Sequence, residues 1–422
     1  MTLAGIPFDF VLFALTLAGV AIFHHHTLYV ALIGLATITL YKLGFGDFGG
    51  VAGFPGLAGL FKHEWVTLAN LLGLLLGFAL LADHFEKSGF PTLLPRFLPD
   101  DWKGGFALLI IVFVISSFLD NIAAAMIGGA MAHVLFRGKV HIGYLAGIVA
   151  ASNAGGAGSV VGDTTTTMMW IAGVPPLEVL EAYTAAVVAV AIFGVVAAKQ
   201  QHRLQPIMKD DPGDAFFDAP RLVVVAIILV IALLANVYFN LNAPEVLDHW
   251  PVIGIAVWIA ILATALWRKP TWTLLPGAVR GSIFLLSLVS CAAMMPVKAL
   301  PAASWQTAFG LGFVSAVFDN IPLTALALHQ GGYDWGFLAF AVGFGGSMIW
   351  FGSSAGVALS GMYPQAKSVV SYVKAGWHVT LAYVIGFFVL LALHGWHVDV
   401  PNTRMSGGNE PVTAPPPAKT VP

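Results

Sequence analysis

The sequence predicts an all-α, polytopic integral membrane protein. It is read as two inverted repeats, each with a re-entrant helical hairpin and a broken helix. Three observations carry this reading. The 422 residues are 58% hydrophobic and only 9% charged, whereas a soluble globular protein carries about 25% charged residues. A short phrase occurs twice, as Ser116-Ser117-Phe118-Leu119-Asp120-Asn121-Ile122 and Ser315-Ala316-Val317-Phe318-Asp319-Asn320-Ile321. After each copy comes a glycine-rich interruption of an apolar segment.

The composition makes lipid the solvent. A net charge of −2 argues against a nucleic-acid partner. The single cysteine, Cys291, excludes an intrachain disulfide and a cysteine-based metal site. The stretch 7–23 lacks a basic leader and a small-residue cleavage site, so it reads as a retained first span.

Taken in order, the first repeat covers 1–200. It holds spans at 7–23, 27–45 and 64–85, a hairpin at 105–135, a broken span at 142–173 and a span at 176–199. The stretch 46–62, glycine-rich and containing Pro55, reads as a loop. The second repeat covers 201–400, with spans at 221–240, 251–267 and 281–300, a hairpin at 304–330, a broken span at 336–362 and a span at 366–394. Polar, proline-rich 401–422 reads as a disordered tail. The hairpins follow from length. Each arm beside Asp120-Asn121 has about 15 residues, about 22 Å of helix, too short for a core of about 30 Å. The interruptions match at a constant offset: Gly155-Gly156 with Gly345-Gly346, and Gly162 with Gly352. Paired interruptions of this kind point to a binding site at the repeat interface.

Loop charge gives the orientation. The loops 86–103, 136–141, 199–221 and 268–280 carry Lys87, Arg96, Lys103, Arg137, Lys139, Lys199, Arg203, Lys209, Arg221, Arg268, Lys269 and Arg280. The loops 241–250 and 331–335 have no Lys or Arg. Basic loops are cytoplasmic, which predicts ten spans plus two hairpins and both termini outside. Each half makes five crossings, so the second is inverted and the hairpin tips meet near the midplane.

A carboxylate in apolar sequence is costly and marks a functional site. Asp120, Asp319 and Asp163 all sit at interruptions without a Lys or Arg among them. Broken helices offer both anion-attracting starts and cation-attracting carbonyls, so the side chains must decide. A carboxylate cluster suits a small cation or a proton, and a group that holds either one but not both is antiport in its simplest form. Oxygens of Asn121, Asn320, Asn153, Ser159, Thr164, Thr165, Ser347, Ser353 and Ser354 can complete the shell of a hard cation. Lys374 and His378, one turn apart in the last span, are candidates for coupling. The His24-His25-His26 run reads as a solvated turn.

These phrases resemble the ion transporter superfamily, most closely its NhaD-type Na⁺/H⁺ antiporters, with a putative citrate (CitMHS-like) branch also similar. The resemblance spans about 60–390. It implies hairpin tips at Asp120-Asn121 and Asp319-Asn320, and unwound helices at Gly155 to Thr165 and Gly345 to Ser354. It also implies Na⁺ and H⁺ as transported ions with no cofactor, a site for Na⁺ at Asp120, Asp319 and Asp163, an inner-membrane location and a homodimer. Sodium- or proton-coupled uptake of citrate is the alternative. A membrane-embedded aspartyl hydrolase is a remote one, since catalysis needs one site and no symmetry.

Overall fold

The computed structural model describes residues 2–3, 6–23, 26–93, 98–208 and 217–398. The expected tail 401–422, His24, His25, Arg96 and Lys209 lie outside the described residues. Apart from a two-residue ladder (Thr2–Leu3 with Ile6–Pro7) and an isolated bridge between Phe48 and Val51, the regular structure is helical. Helices α1 (Phe8–Ile22), α2 (Thr27–Phe45), α3 (Gly53–Lys87) and the single turn α4 (Phe90–Leu93) open the chain. The first hairpin is α5 (Trp102–Ser116) and α6 (Asn121–Leu135), and the first broken element is α7 (Ile142–Ala157) and α8 (Thr164–Ile171). Short α9 (Pro176–Leu180) leads into α10 (Ala182–Leu204). Then come α11 (Ala219–Asn242), α12 (Pro244–His249), α13 (Val252–Ala265) and α14 (Leu275–Ala293). The second hairpin is α15 (Trp305–Ser315) and α16 (Asn320–Gln330). The second broken element is α17 (Trp335–Leu338), continued as a π-helix over Ala339–Phe344, and then α18 (Ser354–Met362). The chain closes with α19 (Val369–Ala375) and α20 (Trp377–His394).

By length and composition, six helical segments among the described residues can cross a membrane, and further apolar helices are shorter. The protein is therefore a multi-pass membrane protein, as the composition required. Several boundaries differ from the sequence expectation. The first interruption opens only after Ala157, so Gly155 and Gly156, expected in the unwound stretch, lie inside α7, where they admit close packing. The stretch 46–62 is not all loop, because α3 begins at Gly53. Pro55 falls in its first turn, where a missing N–H costs nothing. Helix α14 runs over 275–293 rather than 281–300, ending before Pro296. The last span is divided at Gly376, where the backbone leaves helical geometry between α19 and α20.

The helices pack as two bodies. In one, α1 lies on α2, α2 on α14, and α3 is surrounded by α11, α13 and α14. In the other, α10 packs on α5, α7 and α20, while the two hairpins lock into the opposite broken elements, α6 on α18 and α16 on α8. The bodies meet where α14 touches α16 and α3 touches α8.

Close backbone approach holds the second body together. A Cβ on Gly155 would overlap the carbonyl of Phe113 in α5, and one on Gly345 would overlap the carbonyl of Gly312 in α15. The first serine of each repeated phrase fastens the same contact. Ser116 Oγ donates to the Ser152 carbonyl at 2.5 Å, and Ser315 Oγ donates to the Val342 carbonyl at 2.7 Å.

Candidate ion site

Four helices begin at one place: α6, α8, α16 and α18. A helix start has backbone N–H groups without intrahelical partners and the positive end of the peptide dipole. Here the chain supplies its own acceptors. Asp120 accepts from Ile122 N at 3.1 Å, Asp163 from Thr165 N at 2.9 Å, Asp319 from Ile321 N at 3.0 Å and Ser353 from Gly356 N at 3.3 Å. Asp, Ser and Thr are preferred in this position for that reason. The cap does not use up a carboxylate, which has about four lone-pair sites.

Asp163 is buried at the centre of a network that joins the halves. Asn121 Nδ2 donates to Asp163 Oδ2 at 2.9 Å and to Asn153 Oδ1 at 3.0 Å. Asn153 Nδ2 in turn donates to Ser347 Oγ at 2.9 Å and Ser353 Oγ at 3.1 Å. Ser354 Oγ donates to Asp319 Oδ2 at 3.0 Å.

A cavity of about 290 Å³ opens between the two bodies beside this network. Asp120, Asn121, Asp163, Thr164, Asn320 and Ser354 form its polar wall. The opposite wall comes from α3 and α14; apart from Ser282 it is apolar, with Leu71, Leu75, Phe78 and Leu285. Among the described residues, no Lys, Arg or His lines it. The sequence reading did not name these apolar wall residues, and only ordinary helical periodicity marks them.

The remaining expected residues fall behind this wall or away from it. Asn153, Thr165, Ser347 and Ser353 are buried. Ser159 Oγ is committed to the Ser117 carbonyl at 2.6 Å, tying the interruption to the hairpin tip. Thr166 and Thr167 stitch α8 to the same interruption, donating to the carbonyls of Ser159 at 2.5 Å and Val160 at 2.9 Å. The glycines Gly156 and Gly162 pack on one another, as do Gly346 and Gly352. Lys374 is exposed in α19 and His378 is buried in α20, and neither lines the cavity. Among the described residues no three His, Cys, Asp or Glu side chains form one compact metal-ligand group.

No family model matches the chain. It is 28% identical over 390 residues to sodium/proton antiporter 1 of Arabidopsis thaliana, covering 80% of this chain and 62% of that protein. It is 27% identical over 342 residues to the Na⁺/H⁺ antiporter NhaD of Alkalimonas amylolytica, covering 70% of this chain and 68% of that one. The NhaD antiporter of Vibrio cholerae is 25% identical over 336 residues, 67% of this chain and 68% of that protein. The chain is similar to NhaD-type Na⁺/H⁺ antiporters. That part of the motif resemblance holds, whereas these relatives give the citrate branch no support. The chain spans about 62% of the length of the Arabidopsis relative.

Proposed function

We propose that this protein exchanges Na⁺, or Li⁺, for H⁺ across an inner membrane. Asp120, Asp163 and Asp319 alternate between holding a proton and helping to hold the cation. The observation that carries this reading is the occupation of the helix starts. Four helix N-termini would attract an anionic substrate, but three of them are already capped by the chain's own carboxylates. A citrate entering the cavity would meet the carboxylates of Asp120 and Asp163, with Asp319 set behind Asn320 and Ser354, and no basic side chain among the described residues. A cation meets oxygen on the polar wall.

Carboxylate, amide and hydroxyl oxygens suit a hard cation, and the exchange then needs no further chemistry. A protonated carboxyl in the cavity is neutral and ligates Na⁺ poorly. Loss of the proton restores the charge that draws Na⁺ in. We further assign 1–200 and 201–400 as inverted repeats, which the matched hairpins, interruptions and Gly-to-carbonyl contacts support.

The test is a proteoliposome with a pH-sensitive dye inside. Na⁺ should collapse a preset proton gradient, and Asp120→Asn or Asp319→Asn should abolish the response. Accumulation of labelled citrate, with no dye response to Na⁺ alone, would replace this reading by the carboxylate one.

A further inference from the structure

Helix α3 carries a carboxylate that the exchange so far does not use. Glu64 is 4% exposed although its neighbours Phe61, Lys62, His63 and Trp65 are exposed. It makes no hydrogen bond or ion pair to another described residue. It faces α14 across a cavity of about 10 Å³ lined by Leu60, Phe61, Leu68, Val289, Ser290 and Ala293. None of these is titratable. Lys42, which reaches the same end of α14, is engaged with the Met294 carbonyl and, at 3.8 Å, with Asp9.

This small cavity and the ion cavity both lie along the packed interface of α3 and α14. Along α3, Glu64 and Leu68 share a face with Leu71, Leu75, Phe78 and Ala82, which line the large cavity. Their spacing of three and four residues is that of one helix face. Along α14, Ala278, Ser282 and Leu285 line the large cavity, and Val289 and Ala293 line the small one. From Glu64 to Leu71 is seven residues, about 10 Å of helix.

We propose that Glu64 is the station through which the exchanged proton passes between the ion cavity and the compartment at the start of α3. The inference rests on the Na⁺/H⁺ exchange reading. An isolated carboxylate in an apolar wall with one serine hydroxyl nearby has too few oxygens to hold Na⁺. A proton needs only one carboxylate oxygen, and the protonated group is neutral, so it sits in an apolar seam at far lower cost than the ion. In the transfer, the O–H bond of the Asp120 or Asp163 carboxyl breaks. The proton moves through water in the seam, and an O–H bond forms on Glu64. That bond then breaks to water at the membrane surface, and Na⁺ takes the vacated charge at the Asp. Loading runs the same steps backward.

The experiment compares two modes in proteoliposomes: Na⁺-driven H⁺ movement, read by the dye, and exchange of radioactive Na⁺ for unlabelled Na⁺, which moves no proton. Glu64→Gln should lose the first and keep the second at the wild-type rate. H⁺ movement at the wild-type rate in Glu64→Gln would overturn the assignment. So would loss of both modes, because Glu64 would then belong to the Na⁺ site or the fold. Should Glu64→Gln not be recovered as a monodisperse protein, Glu64→Asp, which withdraws the carboxyl by one methylene, must slow H⁺ movement and spare Na⁺ self-exchange. Equal effects on both modes would overturn the proposal. A wild-type protein that moves no protons sinks the exchange reading itself, an outcome separate from all of these.

Discussion

The two hairpin-and-break units share a backbone but not a polar load. Both use a serine to fasten the incoming hairpin arm, a glycine to admit a carbonyl, and an Asp to start the outgoing arm. Where the first unit has Asn153 and Asp163, the second has Gly343 and Ser353 at the matching offset. The consequence appears at the paired asparagines. Asn121 Nδ2 has two acceptors, whereas Asn320 Nδ2 is buried with no hydrogen-bond partner. The shared backbone builds four helix starts around a cavity, and in the proposed exchange the unshared side chains set what that cavity holds.

The largest test of this contrast is Asp163→Asn against its positional counterpart Ser353→Ala. The first removes the central charge and should abolish Na⁺-driven H⁺ movement in the dye assay. The second removes a cap worth about 1 kcal/mol and one acceptor for Asn153, and should leave measurable exchange. Next, Asn121→Ala strips a donor from two buried acceptors, a loss of about 1–3 kcal/mol for each. Asn320→Ala removes an amide nitrogen that bonds nothing, so thermal unfolding in detergent should fall much further for Asn121→Ala.

Gly155→Ala and Gly345→Ala should each cost about 1–3 kcal/mol by overpacking. Similar losses in thermal unfolding would support a shared backbone, and tolerance at one site alone would break the comparison. The smallest effect is expected for Ser354→Ala. Loss of its hydrogen bond to Asp319 is worth about 1 kcal/mol, seen as a raised KM for Na⁺ with the maximal rate kept.

Much of this was legible in the sequence because charge in apolar surroundings is conspicuous. Asp120 and Asp319 stand out as acids in the twice-repeated apolar phrase and Asp163 as an acid beside a glycine-rich break, and the caps they form follow from those placements. Glu64 was not found, for the converse reason. Gly53, Pro55 and Gly56 read as a loop, which puts the start of the span at residue 64 and leaves its glutamate at the very end of the expected span. Glycine and proline are tolerated in the first turn of a helix, and α3 therefore starts eleven residues earlier.

The π-helical stretch Ala339–Phe344 left no mark in the sequence either, since its residues are ordinary apolar ones. The break at Gly376 was passed over because one glycine in a helical pattern is usually tolerated. Here close packing decides, as a Cβ on Gly376 would crowd Ala146 of α7. The apolar wall from α3 and α14 could not be read at all, because nothing in periodicity says which partner a face will meet.

The central claim is that one set of carboxylates holds either a proton or Na⁺. Its most direct test is the pH of a weakly buffered solution of the purified protein on adding Na⁺. The account expects proton release that saturates with Na⁺ and disappears in Asp163→Asn. Saturable Na⁺ binding with no proton released, or release unchanged in that variant, would contradict it.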